Sequence, residues 1–74
     1  MIHRGMTRAA LLALPAAVDI VTAGRAVGVG RTKAHELART GQFPVAVLRL
    51  GNSYRVRTAD LLTYLGIEPG DGAA

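Results

Sequence analysis

The stretch Thr22 to Gly41, T-A-G-R-A-V-G-V-G-R-T-K-A-H-E-L-A-R-T-G, decides how this chain is read. Thr22 stands where an N-cap belongs, and Ala23, Ala26 and Val27 follow at helical spacing as a narrow apolar stripe. Arg25 points the other way. Gly28 stops this helix, because glycine past the last turn accepts left-handed dihedrals. Gly24 inside it costs about 1 kcal/mol against alanine, which makes sense if another helix backbone must pass close by. Val29 plugs the corner, Gly30 is the next N-cap, and a second helix runs from Arg31 to Thr40. Ala34, Leu37 and Ala38 form its inward stripe. Arg31, Thr32, Lys33, His35, Glu36 and Arg39 are left outside, and Gly41 ends the helix.

Downstream, Phe43-Pro44 turns the chain with Phe43 anchored in the core. V-A-V-L-R-L, G-N and S-Y-R-V-R then read as a β-hairpin turning at Gly51-Asn52. The alternation predicts Leu48 and Leu50 facing the body with Tyr54 and Val56, while Arg49, Arg55 and Arg57 face solvent. Thr58 is the expected N-cap of a last helix, A-D-L-L-T-Y-L, with Asp60 near its positive end. Leu61, Leu62 and Leu65 face inward, Gly66 stops it, and Ile67 folds back on the core. Glu68 to Ala74 reads as a disordered tail.

Upstream, Thr7 to Leu14 reads as a short helical turn capped by Thr7 and ended by Pro15, with Leu11, Leu12 and Leu14 covering the core. Asp19 to Val21 is a brief extended lead-in. Arg4 and Arg8 before the apolar run Ala9–Val18 could be taken for a signal peptide. The run is short, is interrupted by Pro15 and is followed directly by Asp19, which argues against that reading. It is also too short to span a bilayer. The expected organisation is an N-terminal extension over 1–17, partly helical, a single domain over 18–67 and a tail over 68–74.

Seventy-four residues make one domain at most. Cysteine is absent and histidine occurs twice, which excludes disulfides and thiolate metal sites and makes a structural zinc site unexpected. The core is therefore Leu, Val, Ile and Ala, helped by Phe43, Tyr54 and Tyr64. Net charge is +4, but its placement says more. Arg25, Arg31, Lys33, Arg39, Arg49, Arg55 and Arg57 share one window with a single acid, Glu36, for a local balance of +6. A basic centre between neutral or acidic ends is the footprint of a nucleic-acid binder, although a solvated surface kept for solubility gives the same count.

Helix, glycine corner, helix, hairpin, helix is the order of a winged helix-turn-helix, here mainly α with a small β-hairpin. In such a unit the second helix lies in the major groove, its N-terminal residues near base edges, and the first crosses the backbone. Arg31 can bond guanine twice, Lys33 can reach guanine or phosphate, and Thr32 can meet a thymine methyl or a phosphate. Arg39 suits a phosphate. His35 is either a contact to base or phosphate or an exposed bystander. Glu36 either accepts from cytosine or pairs with Arg39. Arg49, Arg55 and Arg57 would reach backbone or minor groove from the hairpin, whose tip Gly51-Asn52-Ser53 comes close. Thr22 and Arg25 would face the backbone from the first helix. Tyr54 reads as a core residue with its hydroxyl at the surface. No nucleophile and base are placed together, no ligand cluster is present and no strand precedes Gly28-x-Gly30, so neither an enzyme nor a cofactor is expected.

The stretch V-D-I-V-T-A-G-R-A-V-G-V-G-R-T-K-A-H-E-L-A-R-T-G-Q-F-P, followed by V-L-R-L-G-N-S-Y-R-V-R-T-A-D-L-L-T-Y-L-G, resembles the short excisionase-type, MerR-like helix-turn-helix proteins of actinobacterial integrative elements and phages. The likeness covers about Val18 to Gly66. Gly24 departs from the usual alanine and Gly30 from the usual serine or threonine cap. The resemblance implies that Arg31, Thr32, Lys33 and His35 sit in the major groove and that Asn52 and Ser53 belong to the wing. It also implies a recombination accessory factor that bends DNA and favours integrase-driven excision. Its partners would be double-stranded DNA, an integrase or recombinase, and a second copy side by side on DNA. Its place would be the cytoplasm, on the nucleoid. The competing readings are a small MerR-like transcriptional regulator with the same DNA chemistry, and a protein-interaction module of adaptor or antitoxin type.

Overall fold

Three of the four described helices end at a glycine, the first ends ahead of Pro15, and each strand is brief. The computed structural model describes residues 6–67. The elements are α1 (Arg8–Leu12), β1 (Ala17–Asp19), α2 (Ile20–Val27), α3 (Arg31–Arg39), β2 (Leu48–Leu50), β3 (Ser53–Arg57) and α4 (Thr58–Leu65). The expected tail, 68–74, and the first residues of the extension, 1–5, lie outside the described residues. Four helices on a three-stranded antiparallel sheet make a small mixed α/β domain, in which one strand is added to the hairpin expected above. Among the described residues no helix is long and apolar enough to cross a membrane.

The additional strand is β1. The sheet order is β1-β3-β2, with Ala17 opposite Arg57, Val18 opposite Val56 and Asp19 opposite Arg55. Val18 and Val56 are buried together against the helices. The extended segment thus lies two residues ahead of the lead-in expected over Asp19 to Val21, and Ile20 and Val21 belong to α2, which starts earlier than expected. Asp19, not Thr22, is its N-cap. The Asp19 carboxylate accepts from the amides of Val21 (3.2 Å) and Thr22 (3.4 Å). Two first-turn donors that have no partner inside a helix are satisfied in this way. The Thr22 hydroxyl donates to the same carboxylate at 2.7 Å.

Three helices close with the same device. After α2, α3 and α4 the chain turns through Gly28, Gly41 and Gly66, each with positive φ. The amides of Val29, Gln42 and Ile67 then reach back to the carbonyls of Gly24, Leu37 and Leu62, all at 2.8 Å. This is the Schellman arrangement, which satisfies carbonyls that a helix end otherwise leaves open. Val29 and Ile67 are both half-buried against the core there.

The hairpin register corrects the expected faces. Leu48 stands opposite Arg55, Arg49 opposite Tyr54 and Leu50 opposite Ser53. Residues opposite one another share a face of the sheet. Leu48 and Leu50 therefore lie on the outer face with Arg55 and Arg57, and Leu50 is 61% exposed. Arg49 shares the inner face with Tyr54 and Val56. Gly51 alone carries a positive φ in the turn, as a type II′ loop requires at its first central residue.

Thr58 is not an N-cap. Arg57 holds that position without a side-chain bond, and Thr58 is the first helical residue, buried. Its amide donates to the Ala16 carbonyl at 2.9 Å, and its hydroxyl donates to the Pro15 carbonyl. It ties the start of the last helix to the loop behind α1. The α1 turn forms as expected, with Thr7 Oγ1 accepting from the Ala10 amide at 3.1 Å. Only Leu11 of its leucines is buried; Leu14 is half-buried, and Leu12 faces solvent because a five-residue helix has room for one inward side chain. Tyr64, expected in the core, is 54% exposed. It falls outside the arc that Leu61, Leu62 and Leu65 span on α4.

Candidate nucleic-acid interface

The site is built on α3, and α2 determines how closely α3 can sit. A Cβ placed on Gly24 would lie 2.6 Å from the Ala34 Cβ and 3.2 Å from Val29 Cγ2. The two helix backbones meet at this glycine, as its cost within a helix suggested. Ala34 is fully buried and Ala38 nearly so. The small side chains of Ala34 and Ala38 let α3 lie against α2, with Leu37 half-buried against the core beside them, and the remaining side chains of α3 face outward. Arg31, Thr32, Lys33, His35, Glu36 and Arg39 are all exposed. Gly30 caps the helix with its backbone alone, so no side chain covers the first-turn amides.

Beside this surface stands the hairpin. Thr32, His35, Glu36 and Arg39 line one wall of an open cleft of about 380 Å³, and Tyr54 of β3 forms part of the other. A neighbouring recess brings His35 together with Asp19, Asn52, Ser53 and Tyr54. A third and larger hollow carries Arg39 and Arg49 with the same tyrosine. Tyr54 is thus the common boundary between helix and hairpin tip. Sequence reasoning assigned it only a core role; its place opposite Arg49, one residue from the tip, was the signal for the second one.

The expected hairpin cations divide. Arg49 sits on the α3 side, and its Nε donates to the Gly51 carbonyl at 3.3 Å, steadying the turn. Arg55 is exposed on the outer face, between Asp19 and Leu48 on the flanking strands. Arg57 lies at the far end of β3 and pairs with Asp60 at 3.4 Å. That ion pair joins strand to helix and draws the guanidinium away from the tip. Arg25 is exposed and lines a shallow recess with Gly28, Val29 and Gly30, next to the start of α3. The Thr22 hydroxyl is engaged by Asp19.

Two further details set the chemistry of the α3 face. His35 Nδ1 lies 3.1 Å from the Arg31 carbonyl oxygen, one turn back. Asp19 is held below the ordinary carboxylate range, first by the Thr22 hydroxyl and then by amide donors, against an opposing contribution from burial. Glu36 makes no ion pair among the described residues, and so does not pair with Arg39. Comparison with known protein families, with curated proteins and with solved structures found no match for the chain.

Proposed function

We propose that this protein is a winged helix-turn-helix factor that binds double-stranded DNA in a sequence-dependent way. It would serve as an excisionase-like accessory factor that bends DNA and favours excision by an integrase. One observation carries the DNA reading. The outer surface of α3 is exposed and carries three cations against one acid, and the hairpin tip stands next to it across Tyr54. A helix presented in this way fits a major groove, and a hairpin beside it reaches the adjoining backbone. Base contacts would come from Arg31, Thr32, Lys33, His35 and Glu36, and phosphate contacts from Arg39, Arg49 and Arg55, with Asn52 and Ser53 at the tip and Arg25 from α2. The accessory role rests on the sequence resemblance. The chemistry needs no catalytic group and no cofactor.

Arg25, Arg31, Lys33, Arg39, Arg49 and Arg55 are free of ion pairs among the described residues. If these six meet phosphates, the affinity for duplex DNA falls with salt at a log–log slope of roughly −5. Titration of a labelled duplex across salt concentrations measures it. A flat response would sink the DNA reading and leave the protein-interaction class. The accessory role is tested separately, by an integrase excision assay run with and without this protein. Binding without any effect on excision, together with altered transcription from the bound site, would move the assignment to a small regulator.

A further inference from the structure

Glu36 is out of place on a surface built for phosphates. It is the single acid of α3, R-T-K-A-H-E-L-A-R. Lys33 and Arg39 stand three residues away on either side, at ion-pair spacing. Neither pairs with it. Its exposed carboxylate instead lines the cleft toward Tyr54, between Thr32 and Arg39.

His35, its neighbour in the same cleft, offers similar chemistry. A carbonyl oxygen can only accept, so the 3.1 Å contact to Arg31 requires the proton on Nδ1. In the neutral ring Nε2 then has only its lone pair to offer. The face toward the hairpin therefore carries two adjacent hydrogen-bond acceptors, bordered by cationic donors.

Phosphate oxygens are acceptors too, and the carboxylate repels them. In a major groove the partners that suit an acceptor are the exocyclic amino groups, cytosine N4 and adenine N6. We propose that His35 and Glu36 act as an acceptor pair that selects these amino groups at neighbouring positions of the target site. Arg31 and Arg39 on the same helix supply the complementary donors for guanine or phosphate. The proposal rests on the reading of α3 as the groove helix.

The test is enrichment at neutral pH from a pool of duplexes with a randomised centre, using the full chain and its Glu36→Ala, Glu36→Gln and His35→Ala variants. All three substitutions fall on exposed helical positions, and circular dichroism checks that the fold is kept. The wild type should enrich cytosine or adenine at two neighbouring positions. Glu36→Ala should lose discrimination at one of them by roughly tenfold or more and should bind random-sequence duplex more tightly. Glu36→Gln, which keeps a carbonyl acceptor, should retain part of the preference. His35→Ala should lose the adjacent position. Unchanged base preferences in both alanine variants would overturn the proposal. Steep salt dependence with no enriched sequence in the wild type would overturn it while leaving DNA binding intact. An absence of any salt-dependent binding would remove the groove-helix reading together with it.

Discussion

A single carboxylate, Asp19, ends a strand, caps a helix and borders the recess below the hairpin tip. Its folded-state pKa is depressed, so its stabilising contribution is fully present above the ordinary value of 3.8 and is lost as pH falls through the lower folded value. Asp19→Asn keeps a good cap and removes the titration. The variant should match the wild type near neutrality and lack this acid-side loss. Thermal melts from neutral pH into the acid range would show it, and parallel curves would remove the assignment. Gly24 makes the opposite kind of demand. Alanine would favour the helix by about 1 kcal/mol, but its Cβ would meet Ala34 at 2.6 Å. Forcing the helices apart costs about 1–3 kcal/mol, so Gly24→Ala should be destabilising in urea melts. Ala34→Gly in the same chain should recover part of the loss, as a double-mutant cycle would reveal.

At the level of elements, α2, α3 and α4 were legible because their stops are local. Gly28, Gly41 and Gly66 close them by contacts within six residues, and the inward stripe of α3 follows from its spacing alone. The strand β1 was not legible. Ala17-Val18-Asp19 has no periodicity to read, and its partners lie at residues 55–57. The hairpin was legible as an element but not in its faces. A two-residue loop pairs the residues that flank it, so Leu50 must share a face with Ser53, whatever its hydropathy. The cleft was half legible: the outer residues of α3 came from the pattern, whereas the part played by Tyr54 depends on long-range packing. The register has a measurable consequence. Leu50→Ser should change stability by less than about 0.5 kcal/mol, whereas Val56→Ala should cost about 2 kcal/mol. Denaturation midpoints that ranked the two the other way would contradict the pairing.

Across the molecule, α2 is the hub. It packs on α3 on one side and on α4 and the sheet on the other, while α1 rests on α4. Thr58 links the two halves of that far side through Ala16 and Pro15. Thr58→Val keeps the shape and removes the hydroxyl, leaving the Pro15 carbonyl without this donor. The cost should be about 1–2 kcal/mol, read as a lowered urea midpoint. The salt-dependent DNA binding proposed above should persist at temperatures where the variant remains folded, because no residue of the α3 face is touched.

The sheet order carries one more consequence, for the order in which the chain is made. The middle strand, β3, is the last of the three to leave the ribosome, and both of its neighbours wait for it. A nascent chain halted before Ser53 already holds every cation of α3 but has no ladder for Val18 or Leu48 to join. Arrested intermediates of that length should therefore be cut readily by protease, and resistance should arrive in one step once Arg57 and α4 have emerged.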